Sequence, residues 1–207
     1  MFWEIFGAVI LGVLVVGALC MEILNYTRFI PLIQSILEKS PPFNVLDALP
    51  NSSAKQVTFS TSDGLQLSGH LFRQHNQTTR GVVIFCHEYS GNQWMDMRYC
   101  EGLWEAGFDI FAFDFRNHGE SESLDRYKPL HWPTDFEVVD VQAAIDFVVN
   151  HDDLKSLPIG IMSVSRGAGA ALVAVANDSR IDCIACDGVS SIEQMMMHFA
   201  QRWITVY

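Results

Sequence analysis

Residues 159–170, Ile-Gly-Ile-Met-Ser-Val-Ser-Arg-Gly-Ala-Gly-Ala, hold a serine between an apolar run and a run of small residues. A short strand, a sharp turn at Ser165 and a helix make the layout of a nucleophile elbow, in which a hydroxyl is held out on a strained bend. Such a bend brings backbones so close that the residues two before and two after the serine must be small. Ser163 and Gly167 stand there. The common pattern has glycine at the first of these, so Ser163 exchanges one small residue for another. A helix beginning at Ser165 puts unpaired N–H groups and the positive end of its dipole where an oxyanion forms during acyl transfer. The competing reading is a buried Ser/Gly-rich turn without chemistry.

Two further runs carry polar groups at the ends of apolar segments: Cys86-His-Glu-Tyr-Ser-Gly91 and Asp114-Phe-Arg-Asn-His-Gly-Glu-Ser121. The elements that would position them are legible from periodicity. Val57 and Phe59 alternate with polar residues, Asp63-Gly64 is a turn signal, and Leu65, Leu67, Gly69 and Leu71 alternate again, which predicts an antiparallel hairpin. Residues 82–86 and 109–113 are apolar on both faces, as central parallel strands should be. Helices are predicted over about 92–106, stopped by Gly107, and over 135–150, opened by the capping box Thr134-Asp-Phe-Glu137. Phe136, Val139, Ala143 and Phe147 are the expected apolar stripe of the second. Strand 159–163, helix 165–176, strand 181–186 and a last helix from about Ser191 follow. This alternation predicts a mostly parallel, doubly wound α/β sheet with ligands beyond the C-terminal ends of its strands.

The segment from about Lys55 to Ser191 resembles the N-terminal two-thirds of an α/β-hydrolase domain. That family places a His-Gly loop after strand three, an Asp-x-Arg-Gly-His-Gly-x-Ser segment after strand four and the nucleophile elbow after strand five, and all three occur here in order. The resemblance implies that Ser165 is the acyl-accepting nucleophile and that the backbone N–H of Arg166 is one oxyanion donor, with that of Tyr89 the second. Glu88 stands where the family has glycine after His87, which places a charge near a developing anion. His87 and Gly91 are expected to shape the loop after the first parallel strand. Asp114, Arg116, His118 and Gly119 are expected to hold the loop after the second. Dehalogenase and epoxide-hydrolase chemistry is disfavoured, because those relatives carry aspartate at the elbow.

The family order is Ser, then Asp or Glu, then His. Few residues follow Ser165 before Tyr207. Asp187 is the candidate acid, its alternative being a turn residue in Asp-Gly. His198, beside Met195, Met196 and Met197, reads as a helix-face histidine rather than the base. A serine hydroxyl without an imidazole to take its proton is a poor nucleophile. The expectation is therefore a hydrolase fold truncated after about six strands, with residues 181–186 left as an apolar edge. The functional expectation is a membrane-anchored serine hydrolase acting on esters, thioesters or amides, the chain by itself being inactive. The alternatives are a non-catalytic binding or interaction module and an acyltransferase. Segment 122–134, with Tyr127, Leu130, His131 and Trp132, reads equally as a small substrate-side cap and as a connecting loop.

The net charge is −11, with 13 Lys and Arg scattered along 207 residues, which argues against a nucleic-acid partner. No metal site or cofactor is expected: no ligand cluster, phosphate loop or dinucleotide fingerprint occurs. Five cysteines without regular spacing do not make a disulfide framework. Cys183 and Cys186 lie in a strand-like run, where residues three apart face opposite ways, and are expected to be small buried residues. Residues 5–21 are uncharged and nearly all apolar, long enough with their flanks to cross a bilayer core of about 30 Å. Glu4 and the lack of an early Lys or Arg favour an uncleaved anchor over a signal peptide. Arg28 and Lys39 follow the span, which by the positive-inside rule puts the domain in the cytoplasm. Sequons at Asn25, Asn51, Asn76 and Asn177 point the other way. The expected organisation is an anchor over 1–24, an amphipathic segment and linker over 25–54, including a helix near 28–39, and a partial hydrolase domain over 55–207. The substrate is expected to be a small molecule or an acyl or peptidyl compound, the membrane contact is residues 5–24, and the oligomeric state is open.

Overall fold

Val82–Cys86 and Asp109–Phe113, two five-residue runs dominated by large apolar side chains, form strands β3 and β4, and every residue of both is buried. They sit at the centre of a six-stranded sheet in a computed structural model that describes residues 2–31, 48–74, 78–129, 132–189, 191, 193, 194 and 197. The other strands are β1 (Lys55–Ser60), β2 (Gln66–Phe72), β5 (Ile159–Val164) and β6 (Cys183–Asp187). The sheet order is β1-β2-β4-β3-β5-β6. The hairpin β1–β2 is antiparallel, and β2 pairs antiparallel with β4; the remaining pairs are parallel. Gly64, at φ 93°, takes the left-handed position of the hairpin turn, and the Thr61 N–H donates to Leu65 O across its base.

Helices cover both faces. Helix α2 (Asp96–Glu105) packs over Val83, Phe85, Ile110, Ala112 and Val164. Helices α3 (Asp135–Asn150) and α4 (Arg166–Val175) pack over Ile84, Cys86, Phe111, Phe113 and Ile161 on the other face. Strand alternation divides the side chains: neighbours such as Ile84 and Phe85 point to opposite cores. Both are fully buried, and each such side chain contributes about 2 kcal/mol. Phe59, Phe111 and Phe147 pack at ring separations of 5.6 and 5.4 Å from Phe59, which joins β1 to α3.

Several expectations need correction. The helix predicted over 92–106 begins as a 3₁₀ turn, Gln93–Met95, capped by the Asn92 side chain at the Trp94 N–H, and α2 proper starts at Asp96. The buried residues of α3 are Glu137, Asp140, Val141, Ala143, Ala144, Ile145 and Val148; of the expected stripe Ala143 is buried and Phe147 packs half-buried against the core, whereas Phe136 and Val139 are half-buried outside that cluster. The helix turned because Arg116, buried under it, demands Asp140. Cys183 is exposed and Cys186 half-buried, since β6 is the outer strand of the described sheet and alternates exposed and half-buried residues. The last strand begins at Cys183 rather than Ile181. The helix expected from Ser191, with His198, Met195 and Met196, lies outside the described residues apart from single positions, as do most of 28–39, Leu130 and His131.

The chain divides into two compact units, Met1–Asn44 and Val45–Tyr207. The first contains α1 (Phe2–Leu24), continued by a π-helical turn, Asn25–Phe29. The turn is closed by the Ile30 N–H donating to Asn25 O, five residues back. Within Ile5–Arg28 an 18-residue stretch reaches a mean hydropathy of 2.5 with no burial, so length and composition suit either a membrane span or a signal sequence.

Candidate active site

The C-terminal ends of β3, β4 and β5 come together at one rim of the sheet, and each ends in one of the three polar segments. After β5 the chain passes through Ser165 at φ 50°, ψ −113°, directly before α4. That conformation is costly for a residue with a Cβ, by about 1–3 kcal/mol. The bend is forced by crowding. A Cβ on Gly167 would lie 2.4 Å from His87 O and 2.5 Å from Cys86 O, so α4 can start against β3 only with glycine there. Ser163 is fully buried and its hydroxyl donates to Ala185 O at 3.1 Å, which explains how a serine fits where glycine is usual: its one polar atom finds a partner on β6.

Ser165 starts α4 as the N-cap, one residue earlier than the helix itself. Its N–H donates to Asp187 O at 2.7 Å and its carbonyl accepts from the Gly169 N–H at 3.2 Å. Its side chain makes no capping hydrogen bond and is exposed. The hydroxyl and the first N–H groups of α4, which have no helical partner, therefore face the same rim. A hydroxyl so placed can attack a carbonyl whose oxygen rests on main-chain amides.

The loop after β3 is built on His87. Its ring is buried, Nδ1–H donates to Glu88 O at 2.7 Å, and Nε2 accepts from the Phe115 N–H at 3.2 Å. Both nitrogens are used by main chain, so the neutral ring staples the β3 loop to the β4 loop. Burial, helped by the neighbouring His118, pushes its pKa down to about 3. Ser90 has φ 59°, and the Gly91 N–H closes a turn onto Glu88 O at 3.0 Å. Tyr89 is half-buried. Glu88 accepts from the Tyr99 hydroxyl at 3.2 Å through one carboxylate oxygen, while the other is buried with no hydrogen-bond partner among the described residues. Burial first, then the negative charge of Glu88, raises the pKa of Tyr99.

The loop after β4 is held by carboxylates. Asp114 accepts from the Gln93 N–H at 2.6 Å and the Glu120 N–H at 2.9 Å, joining the loops after β3 and β4. Gly119, at φ 49°, is required because any Cβ would meet Asp114 Oδ2 at 2.1 Å. Arg116 is buried and forked between Asp140 and Asp63, with Nε donating to Asp140 Oδ1 at 2.9 Å and Nη1 to Asp63 Oδ2 at 2.7 Å. The Arg116 hydrogen bond holds Asp63 down to about 2, whereas burial pushes Asp140 up to about 6 despite the same arginine. His118 Nδ1–H donates to Arg116 O at 2.9 Å, and burial lowers its pKa.

Asp187 closes β6, and Val164 is its register partner. Its side chain is exposed and, among the described residues, makes no hydrogen bond. His198 lies outside the described residues. Among the described residues no three metal-binding side chains gather.

Residues 81–204, more than half of the chain, match the family model described as alpha/beta hydrolase fold. The chain belongs to the α/β-hydrolase family. The protein YfhR of Salmonella typhimurium is 26% identical over 148 residues, which are 69% of this chain and 46% of YfhR. The quorum-quenching protein AidA of Acinetobacter baumannii is 28% identical over 65% of this chain and 45% of its own length. The Pyrococcus furiosus esterase Pf2001 superposes with a TM-score of 0.59 at 27% identity, covering 78% of this chain and 63% of the esterase. The hydrolase domain here thus spans about half the length of these curated relatives.

Two features of the site escaped sequence reading. One is the Arg116 fork between Asp63 and Asp140, whose members come from the hairpin turn, the β4 loop and α3. The other concerns Arg166, singled out only for its backbone N–H. Its side chain is buried against Glu137 and Tyr127. A capping-box glutamate has a second carboxylate oxygen free for a partner, and that was the available signal.

Proposed function

We propose that this protein is a membrane-anchored serine hydrolase that cleaves ester, thioester or amide bonds through an acyl-enzyme. The observation that carries this reading is the backbone of Ser165: a non-glycine residue at φ 50° between β5 and α4, with an exposed hydroxyl that does not cap its own helix. Ser165 Oγ is the nucleophile. The N–H groups of Arg166 and Tyr89 are the oxyanion donors, receiving the charge that develops on the carbonyl oxygen. Asp187 is the candidate acid; the histidine that takes the serine proton is assigned to none of the described residues. The family match, the esterase among the structural relatives and the thiohydrolase AneE of Aspergillus aculeatus, 25% identical over 130 residues, support acyl transfer to water as the reaction class. Residues 5–24, within the apolar helical stretch Ile5–Arg28, are the membrane anchor, and Arg28 and Lys39 after them favour a cytoplasmic domain by the positive-inside rule.

The test is labelling of the full-length protein by a fluorophosphonate. Wild type is expected to label at Ser165 and Ser165→Ala not at all; a folded wild type that stays unlabelled overturns the reading. Retention in carbonate-washed membranes, lost when residues 1–31 are deleted, tests the anchor.

A second reading, a non-catalytic binding module on the same fold, is favoured by Glu88. Its carboxylate stands in the proposed oxyanion loop with one oxygen buried and, among the described residues, unpartnered. Such a protein would not label under any condition yet would still fold.

A further inference from the structure

The side chain of Arg166 is 2% exposed, although the residue borders the rim where Ser165 is open to solvent. Its guanidinium forms an ion pair with Glu137 and donates to the Tyr127 hydroxyl, and Nε donates to Trp132 O at 3.3 Å. Glu137 is itself fully buried and serves two helices at once. One carboxylate oxygen receives Arg166 and Tyr127, while the other accepts from the Thr134 N–H and hydroxyl, each at 2.7 Å. Pro133 lies so close to α4 that a Cβ on Gly169 would meet its ring at 2.8 Å. At the other end of the same segment, Asn117 accepts from the Leu124 N–H at 2.8 Å and donates to Tyr127 O at 3.0 Å. The described parts of segment 122–134, residues 122–129 and 132–134, are therefore tied by Asn117 and Arg166, with glycine at 169 letting Pro133 lie against the helix.

We infer that Arg166 is a positioning residue. Its buried side chain clamps Tyr127 and residues 132–134 onto the first turns of α4 and so fixes the direction of its own backbone N–H beside Ser165. The inference rests on the reading of Ser165 as nucleophile. It goes beyond the two sequence-based readings of the segment, a small substrate-side cap and a connecting loop, by giving the segment a fixed attachment. The physical reason is that one residue supplies both parts. A guanidinium held by a carboxylate, a phenol and a carbonyl has no rotamer freedom left, so the peptide plane attached to it has little either. A small misdirection of an oxyanion donor is costly, because the donors act by being preorganised.

The experiment uses the full-length protein and three variants: Arg166→Ala, Arg166→Lys and Tyr127→Phe. Two quantities are read, the rate of fluorophosphonate labelling at Ser165 and deuterium exchange of the amides in 122–129 and 132–134. Arg166→Ala is expected to slow labelling by about 10- to 100-fold and to speed exchange across the segment. Added guanidinium ion, which fits the vacated socket, is expected to restore much of the rate, whereas sodium at the same ionic strength does not. Arg166→Lys should stay slow, because an ammonium cannot span three acceptors in a plane. Tyr127→Phe keeps the ion pair and should slow labelling only about threefold. Unchanged exchange in Arg166→Ala overturns the clamp. Faster exchange with an unchanged labelling rate, or no rescue by guanidinium, overturns the positioning role. If Arg166→Ala does not fold, Tyr127→Phe decides, and wild-type labelling by that variant overturns the inference. A wild type that never labels removes the nucleophile reading, and exchange alone then decides the clamp.

Discussion

Helices α3 and α4 begin within contact of each other on one face of the sheet, yet their first turns are finished in opposite ways. At α3, Thr134 is extended at φ −119°, its hydroxyl accepts from the Phe136 N–H, and Glu137 reaches back to the Thr134 N–H, so the exposed polar groups of that turn are closed locally. At α4, Ser165 sits at φ 50°, offers no side-chain cap, and leaves its hydroxyl facing outward. The first start is built for stability, and the second gives stability up to keep a hydroxyl and amides available. Glu137 connects them: the residue that closes α3 also holds Arg166, the first residue of α4. A helix start that is left open at one point is braced at another by its closed neighbour.

The contrast can be broken most severely at Gly167. Gly167→Ala drives a methyl group into the carbonyls of Cys86 and His87 at the end of β3, a fully buried central strand. A loss of about 3 kcal/mol is expected, seen as a lower urea midpoint, together with loss of labelling at Ser165. An unchanged midpoint would mean that the elbow is looser than drawn.

Acid should separate the rim from the rest of the fold. The folded state holds His87 neutral down to about pH 3, whereas the unfolded imidazole takes a proton near 6.5. The unfolded state therefore binds more protons as pH falls below 6.5, and stability drops through that window, by up to about 1.4 kcal/mol per pH unit for this one group. His118 acts with the same sign. Asp140, pushed up to about 6, opposes them between about 6 and its ordinary value, since there the folded state takes up the extra proton. Urea midpoints of wild type and His87→Gln at pH 7, 6 and 5 isolate the term: the wild type should fall more steeply, and parallel profiles would contradict a buried neutral ring.

At the closed helix start, Thr134→Ala should cost about 1 kcal/mol, read by thermal denaturation, because it removes the oxygen that accepts from the Phe136 N–H. At the open start the sign reverses. Ser165→Gly relieves a left-handed backbone and removes no capping bond, so it should raise stability by about 1 kcal/mol while abolishing labelling. Equal losses at the two positions would erase the difference between the two starts.

Much of this was legible locally. The order of strands and helices, the hairpin at Asp63-Gly64, the capping box at Thr134 and the bend at Ser165 each depend on a few neighbouring residues and on alternation of apolar side chains. The buried face of α3 was misjudged because periodicity counts Asp140 and Glu137 as polar and turns them outward. In the fold each meets an arginine, Arg116 or Arg166, delivered by a strand end far away in the chain. Cys183 and Cys186 were expected inside because their run is apolar, but exposure depends on which strand lies alongside, and β6 has a neighbour on one side only among the described residues.

The amino-acid sequence by itself determined the wound sheet, the apolar first helix and the serine on its turn, since propensity, patterning and small-residue spacing act over a few positions. Tertiary structure alone decided which carboxylates are buried, which arginines they hold and how segment 122–134 is tied to the elbow. Those contacts join charges that are distant in sequence, and burial stabilises them only where packing has excluded water and brought both partners together.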